Sequence, residues 1–330
     1  MNKDTQPSEP GQAPAQIADP VDPQIVRSQI LALNDKALFQ TGDYRAYLIK
    51  ASEAPDAMTE LYRLREVTFR GVGEGTGKAL DTDSFDEYYH HLILWNIPDG
   101  EIVGAYRVGY GPDIIARKGI SGFYSSTLVK FGPDAPEVLS QSMELGRSFI
   151  VEKYQKEVLP LKMMLTGLCI ATIKDTKIHY CVGMVSISNA LPDLYKSIIV
   201  ESLEKIAPYH GAERFATPTN PFVKNFQGED PGKYLENLEE KGIDACDRLI
   251  FTLTEGETRI PVLVRKYFNC GAKVVCFNVD PDFSDSLDAM IVLRLKDFPE
   301  ASVRSFVRSL PQDLQDVIFE HFYGSFIAAR

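Results

Sequence analysis

The stretch FDEYYHHLILWNIPDGEIVGAYRVG, residues 85–109, decides how this chain folds. Two runs rich in β-branched and aromatic residues, 91–96 within it and 101–110 ending one residue past it, are joined by Ile97-Pro98-Asp99-Gly100. Proline and Asp-Gly between such runs are turn signals, so the segment predicts an antiparallel hairpin. Upstream, Tyr44, Ala46 and Leu48 alternate with Arg45, Tyr47 and Ile49, the two-residue period of a strand over 44–50. Met58, Leu61, Tyr62 and Phe69 recur at spacings of three, four and seven, which predicts a helix over 55–70 that ends at Gly71. Downstream, 142–151 reads as a strand, 160–174 as a helix with proline at its start, 180–187 as a buried strand and 192–206 as a helix. An extended piece follows at 215–218. A helix over 258–268, strands over 273–278 and 289–295 and a helical region from 300 complete the series. The order from residue 44 suits a mixed α/β sheet rather than a repeat or a bundle. Before it, 24–38 reads as a helix, and 1–23, rich in Pro, Gln and Ala, as a disordered tail.

The chain has 330 residues, 44% apolar and 25% charged, the proportions of a globular protein rather than a fibrous or wholly disordered one. Its net charge of −11 repels phosphate backbones, so no nucleic-acid partner is expected. No apolar run approaches the roughly 18 residues of a membrane helix, and the N-terminus lacks the apolar region of a secretory signal. A cytoplasmic location is therefore expected. Cys169, Cys181, Cys246, Cys270 and Cys276 are scattered with no C-x-x-C pair, which predicts reduced, buried thiols with no disulfide and no zinc site.

Candidate chemistry begins with arginines on apolar faces. Arg65 interrupts the stripe of Leu61 and Phe69; Arg107 shares a strand face with Val103 and Ala105; Arg147 shares one with Met143, Leu145 and Phe149. A buried guanidinium demands a carboxylate or an anionic ligand. Asp81, Asp83, Asp86 and Glu87 crowd the segment DTDSFDEYYHH, whose spacing does not match a calcium loop; Asp83 or Asp86 can pair with Arg65 or recognise an ammonium group. Glu144 lies on the opposite face from Arg147 in a regular strand unless Gly146 marks a bulge. GVGEGTGK at 71–78 has Val72 and Ala79 where a phosphate loop needs Gly and Ser or Thr, and reads as a flexible loop on the substrate side. Ser148 lacks the G-x-S-x-G of a nucleophile elbow, and no histidine begins an H-x-x-x-x-D.

Three segments taken together, 85–109, FYSS at 123–126 and ELGRSFIVEKYQ at 144–155, resemble the ornithine-lipid-type N-acyltransferases of the GNAT superfamily. Residues 260–293 are similar to that family's C-terminal segment, in which a Leu-rich helix, a glycine and an acidic D-x-x-F precede the last strand. The resemblance covers about 44–295. ELGRS is its most specific element, and also resembles the E-x-x-R of acyl-homoserine lactone synthases.

The resemblance implies an α/β fold with a mixed, mostly antiparallel GNAT-like sheet flanked by helices, an N-acyltransferase domain over 24–296 and a C-terminal helical extension over 297–330. It implies transfer of a 3-hydroxyacyl group from acyl carrier protein to the α-amine of glycine or ornithine, giving a lyso-aminolipid that a separate O-acyltransferase completes. No bound cofactor and no metal are expected. GNAT acetyltransferases hold coenzyme A with a glycine-rich R/Q-x-x-G-x-G/A, whereas VEKYQKEVLPLKM at 151–163 has no glycine, which points away from acetyl-CoA. An acidic carrier needs a local basic patch, for which Arg117 and Lys118, or Lys153, Lys156 and Lys162, are candidates. Glu144 is expected as general base with Arg147 beside it, and Arg65, Asp83, Asp86, Arg107 and Ser148 as the substrate-binding set. The C-terminal stripe of Val303, Phe306, Val307, Leu310, Leu314, Val317, Ile318 and Phe322 is expected to pack on the core or a partner, with peripheral contact at the inner membrane face as the alternative. The competing functions are an acyl-homoserine-lactone-type synthase and a non-catalytic, haemolysin-like membrane-associated protein.

Overall fold

The computed structural model describes residues 14–228, 230, 232 and 242–324. Its first half runs α1 (Pro23–Leu31), β1 (Ala37–Thr41), β2 (Tyr44–Lys50), α2 (Pro55–Gly71), β3 (His90–Asn96), β4 (Glu101–Tyr110), α3 (Gly111–Lys118), β5 (Val129–Phe131), α4 (Ala135–Leu139) and β6 (Ser142–Ile150). The second half runs α5 (Leu159–Thr172), β7 (Tyr180–Ile187), α6 (Asp193–Ile206), α7 (Ala212–Phe215), β8 (Ala216–Pro218), α8 (Ile243–Leu253), α9 (Val262–Asn269), β9 (Lys273–Asp280), β10 (Ser286–Arg294), α10 (Glu300–Val307) and α11 (Gln312–Tyr323).

The β3–β4 hairpin closes as its turn chemistry demands. Asn96 Oδ1 accepts from Asp99 N at 3.1 Å, Gly100 N donates to the Asn96 carbonyl at 2.9 Å, and Gly100 takes a φ of +68° that a Cβ would oppose. Around this hairpin grows an eight-stranded sheet in the order β1-β2-β3-β4-β6-β7-β10-β9, antiparallel except where β6 meets β7. β5 and β8 form a separate small sheet.

Strand alternation assigns the layers. Tyr47, Ile93 and Ala105 share one face and pack under α1 and α2 with Ile30, Met58 and Leu61. Further along that face, Val182, Met290 and Val292 pack with Phe123 and Phe215 around the small sheet. The other face carries Leu92, Tyr106, Met143 and Leu293 against α5, α6, α9 and the C-terminal helices. Both faces are covered, so the strands read as near-continuous apolar runs.

Several elements differ from expectation. The helix expected over 24–38 stops at Leu31, because 37–41 leave it to pair with β2 as the edge strand. The helix expected over 258–268 begins only at Val262: the Asp247 carboxylate accepts from Ile260 N at 3.0 Å and Arg259 Nη1 at 2.7 Å, holding the approach extended. Of the expected 1–23 tail, 1–13 lie outside the described residues. Residues 14–22 lie along the glycine-rich loop, with Ala15 N donating to Gly77 O at 2.8 Å and Ala18 N to Ala79 O at 3.1 Å. The extension beyond 296 joins the main core through Val303, Phe306, Val307, Ile318 and Phe322, while Val317 stays exposed. Thr166 of α5 anchors it by donating to the Phe306 carbonyl at 2.6 Å. Among the described residues no helix is long and apolar enough to cross a membrane.

Candidate active site

A bulge in β6 builds the site. Gly109 pairs with Glu144 and Arg107 with Gly146, but Ala105 pairs with Phe149, so three steps along β6 match two along β4. Arg147 takes the extra step with a φ of +47°. A regular strand would separate Glu144 and Arg147 on opposite faces; the bulge turns Arg147 onto the face of Glu144 and Phe149. Ser148 is carried to the other side, the side of Tyr106.

Beneath the bulge three arginines meet three aspartates. Arg65 holds Asp86 through Nη1 at 3.2 Å and Nη2 at 2.9 Å, and its Nε lies 2.9 Å from Asp81 Oδ2 as an ion pair rather than an aligned hydrogen bond. Arg107 Nη1 donates to Asp83 at 2.6 Å and to Asp86 at 3.3 Å, with its guanidinium 4.8 Å from the Tyr124 ring centre. Arg147 Nε lies 3.2 Å from Asp81 Oδ2, and Nη1 donates to Tyr124 Oη at 2.9 Å. Burial opposes ionisation of Asp86, yet Arg65 and Arg107 outweigh it and hold the carboxyl well below the usual carboxylate range. Burial also pushes His91, 3.8 Å from Asp86, down to about 4, so it is neutral at pH 7.

The expected substrate-binding set is thereby divided. Arg65, Asp83, Asp86 and Arg107 spend their charges on one another, and none of them lines the large cavity described below. They form an ion-paired scaffold under the site, set back from the cavity lining. Glu144, expected as general base, is likewise engaged by the protein's own donors. Its carboxylate accepts from Tyr89 Oη, from Tyr124 N at 2.9 Å, and from Ser125 N at 2.8 Å and Oγ at 2.5 Å. With four donors on two oxygens it has little capacity left for a substrate proton. It pins the turn that aims Tyr124 at Arg147. We expect Glu144→Gln to lower unfolding stability by about 2 kcal/mol, since an amide nitrogen would face backbone N–H donors. A urea melt that matches the unsubstituted protein would refute this.

A cavity of about 810 Å³ opens between β6 and β7. Their pairing spans only Ser142–Glu144 against Tyr180–Val182. Beyond it, residues 145–150 and 183–186 border open space. The lining sorts by face. Asp288, Met184 and Ser186 lie on the face of α2, and Glu74, Tyr124, Arg147 and Asp280 border the cavity with them. Leu145, Ile291 and Leu293 lie on the other face, where Leu165 and Leu168 of α5, Tyr267 of α9, and Phe298, Phe306 and Phe322 of the C-terminal extension complete an apolar wall. The cavity therefore crosses the sheet, polar on one side and apolar on the other, within the size range of ligand sites. Arg147 and Ser148 both reach it.

The glycine-rich loop is tied down rather than open to phosphate. Buried Glu66 accepts from Thr76 N at 3.1 Å, Thr76 Oγ1 at 2.8 Å and Gly77 N at 2.9 Å, occupying the amides an anion would use. The loop presents Glu74 to the cavity instead, where burial pushes its carboxyl up to about 7 against the pull of Arg147. Asp288 is likewise pushed up to about 7, first by burial and then by Asp280. Sequence reasoning missed Glu74, Asp280 and Asp288. The available signal was Asp288 in SLDAMIVL, a carboxylate in period with Met290 and Val292.

Residues 64–165 match the family model described as acetyltransferase (GNAT) domain. The chain is 26% identical to a glycine N(alpha)-acyltransferase of Bacteroides thetaiotaomicron over 319 residues, covering 91% of this chain and 93% of that protein. It is also 26% identical to one of Phocaeicola vulgatus, covering 91% and 96%. Among solved structures, a CoA-dependent acyl-homoserine lactone synthase, MesI, aligns over 80% of this chain and 94% of its own at 12% identity. The TM-score is 0.35.

Proposed function

We propose that this chain, a GNAT-domain member of the N-acyltransferases, joins a long acyl group carried as a thioester on an acyl carrier protein to the amine of glycine. The observation that carries this reading is the cavity that crosses the sheet: an apolar half suited to an acyl chain meets a polar half suited to an amino acid at the gap between β6 and β7. Similarity to two glycine N(alpha)-acyltransferases supports glycine as the amine.

Three features support a carrier protein as donor. The segment 151–163 has no glycine from which to build a pyrophosphate loop, and proline enters the first turn of α5. Lys156, Lys162 and Lys266 line the cavity, beside Val158, which is 86% exposed. Lys153, by contrast, is bound to Asp99 at 2.9 Å and Glu101 at 2.8 Å, and Lys118 stacks 4.4 Å from the Tyr88 ring centre. An acidic carrier would thus meet positive charge where its thioester arm must enter.

In this reading the acyl chain lies along Leu165, Leu168 and Leu293, which places the thioester carbonyl at the gap. The edge of β6 past Glu144 has left its ladder with β7 there, and its backbone amides would stabilise the oxyanion. The amine attacks, the carbon–sulfur bond breaks, and the carrier leaves as a free thiol. With a 3-hydroxyacyl donor the product is N-(3-hydroxyacyl)glycine, a single-chain lipid whose 3-hydroxyl a separate O-acyltransferase would esterify to give a two-chain membrane lipid.

Mass spectrometry of products tests the reading. Purified protein incubated with 3-hydroxyacyl carrier protein and equal amounts of glycine, serine, ornithine and S-adenosylmethionine should give N-(3-hydroxyacyl)glycine as the main product. A dominant N-acylornithine or acyl-homoserine lactone would overturn the choice of amine. An intact thioester with folded protein would overturn the activity.

A further inference from the structure

Two buried carboxylates line the cavity without an ion pair to either. Asp280, at the end of β9, is 3% exposed and Asp288, in β10, is 2% exposed. No Lys, Arg or His nitrogen of the described residues lies within 4.0 Å of either. One oxygen of Asp280 accepts from Asp282 N at 3.0 Å; among the described residues its other oxygen has no partner. Asp288 has only hydroxyls, Ser286 Oγ at 3.3 Å and Ser186. Buried carboxylates are normally matched by a cation, since the unmatched charge is costly. Here Arg147 pulls on Asp280 from beyond ion-pair distance without outweighing its burial, and both carboxylates face a cavity.

The surroundings are those of a zwitterion site. Arg147 borders the same space, its guanidinium held 4.8 Å from the Tyr124 ring centre and 4.9 Å from that of Phe283. Ser284 Oγ donates to the Gly75 carbonyl at 3.1 Å, clipping the β9–β10 turn to the loop that carries Glu74. Among the described residues the Glu74 carboxylate accepts no hydrogen bond. Asp288 stands opposite Ser186 of β7, the strand that flanks the gap, whereas Asp280 pairs with Ser286 one strand further out. Asp288 is therefore the carboxylate nearer the acyl carbonyl.

We propose that Asp280 and Asp288 form the ammonium-binding site of the acyl transfer, with Arg147 taking the amino acid's carboxylate and Asp288 accepting the first amine proton. This rests on the N-acyltransferase reading. The proton passes from the ammonium nitrogen to Asp288, freeing the lone pair that bonds to the thioester carbon. On collapse the carbon–sulfur bond breaks, and the second amine proton leaves with the thiolate as thiol. Asp288 then returns its proton to solvent by way of Glu74 at the rim. Asp280 and Glu74 both raise the proton affinity of Asp288, Ser186 and Ser286 lower it, and burial exceeds all four, so the carboxylate titrates near neutrality. A base with that affinity can both take and release a proton at pH 7.

The test measures N-acylglycine formation from pH 5.5 to 9 with the full-length protein. The wild type should gain activity through about pH 7. Asp288→Asn should lower kcat by about 100-fold and abolish that rise. Asp280→Asn should mainly raise KM for glycine, and neither change should alter KM for the acyl donor. Stability supplies the second readout. Because Asp288 binds its proton more tightly folded than unfolded, its contribution falls as pH rises from about 4 through 7. Asp288→Asn should therefore raise Tm at pH 8, which separates lost chemistry from lost fold. Asp288→Glu should restore the rise in activity with a lower kcat. If the wild type forms product while Asp288→Asn keeps its kcat and pH rise, this inference alone is overturned. If the wild type forms none, the acyltransferase reading falls and takes the inference with it.

Discussion

Replacing Arg107 by alanine is expected to cost about 3–5 kcal/mol of folding stability, because it leaves two carboxylates inside the protein short of counter-charge. Arg107 is 1% exposed and is the closest cation to Asp83, at 2.6 Å, as well as a partner of Asp86 at 3.3 Å. Its side chain also fills the space between Phe85, Tyr89 and Tyr124. Since domains are stable by only about 5–15 kcal/mol, urea unfolding at pH 7.5 should show a midpoint close to spontaneous unfolding. The pH dependence gives the signature. Asp86 is buried and Asp83 half-buried, but the arginines more than compensate and depress both carboxyls. A depressed folded pKa contributes stability above the unfolded value of about 4 and loses it as pH falls below. The gap between wild type and Arg107→Ala should therefore narrow below pH 4. His91, its folded pKa lowered to about 4 mainly by burial and in part by Arg107, adds its own loss between about 6.5 and 4, so the two proteins are compared below pH 4, where it is charged in both. A gap that stays constant with pH would mean that packing, not charge, makes Arg107 matter.

The same residues show what a sequence can carry. In 85–109, alternation and turn chemistry agree, so β3 and β4 are readable from local information to within one residue. The edge strand β1, the short helices α3 and α4 and the strand β5 are not, because they are held by contacts with distant segments rather than by their own periodicity. Arg65, Arg107 and Arg147 stand out as charges in apolar stripes, and Asp83 and Asp86 as their candidate partners. Which pairs form depends on the register between α2, β4 and β6, and on one bulge at Arg147 that strand counting does not contain. Glu144 shows the limit from the other side. Its place in the ELGRS motif is visible, but the four donors that occupy it come from residues 89, 124 and 125. The cavity has no sequence signature, since it exists only because two strands part after three pairs.

Leu168→Trp is expected to shorten the acyl chains the protein accepts, and Phe306→Ala to lengthen them. Leu168 projects from α5 and Phe306 from α10 into the apolar half of the cavity, so a helix outside the GNAT-matched segment walls the chain's path. The larger ring at 168 should exclude about four methylenes. At about 0.8 kcal/mol for each buried CH₂, the loss is about 3 kcal/mol, or roughly 200-fold in kcat/KM for donors long enough to fill the cavity. Donors about four carbons shorter never reach the ring and should change by only a few-fold, which inverts the preference rather than lowering all rates. Phe306→Ala opens the opposite end at a stability cost of about 3–5 kcal/mol, so its assay belongs at low temperature with folding checked by circular dichroism. Competition between carrier-bound donors of two lengths in one reaction reads the ratio of kcat/KM directly, independent of enzyme concentration. Equal losses for both lengths in Leu168→Trp would place the acyl chain elsewhere. The ratio decides, because damage to the fold or to the amine site lowers both rates together, whereas a wall in the chain's path discriminates by length.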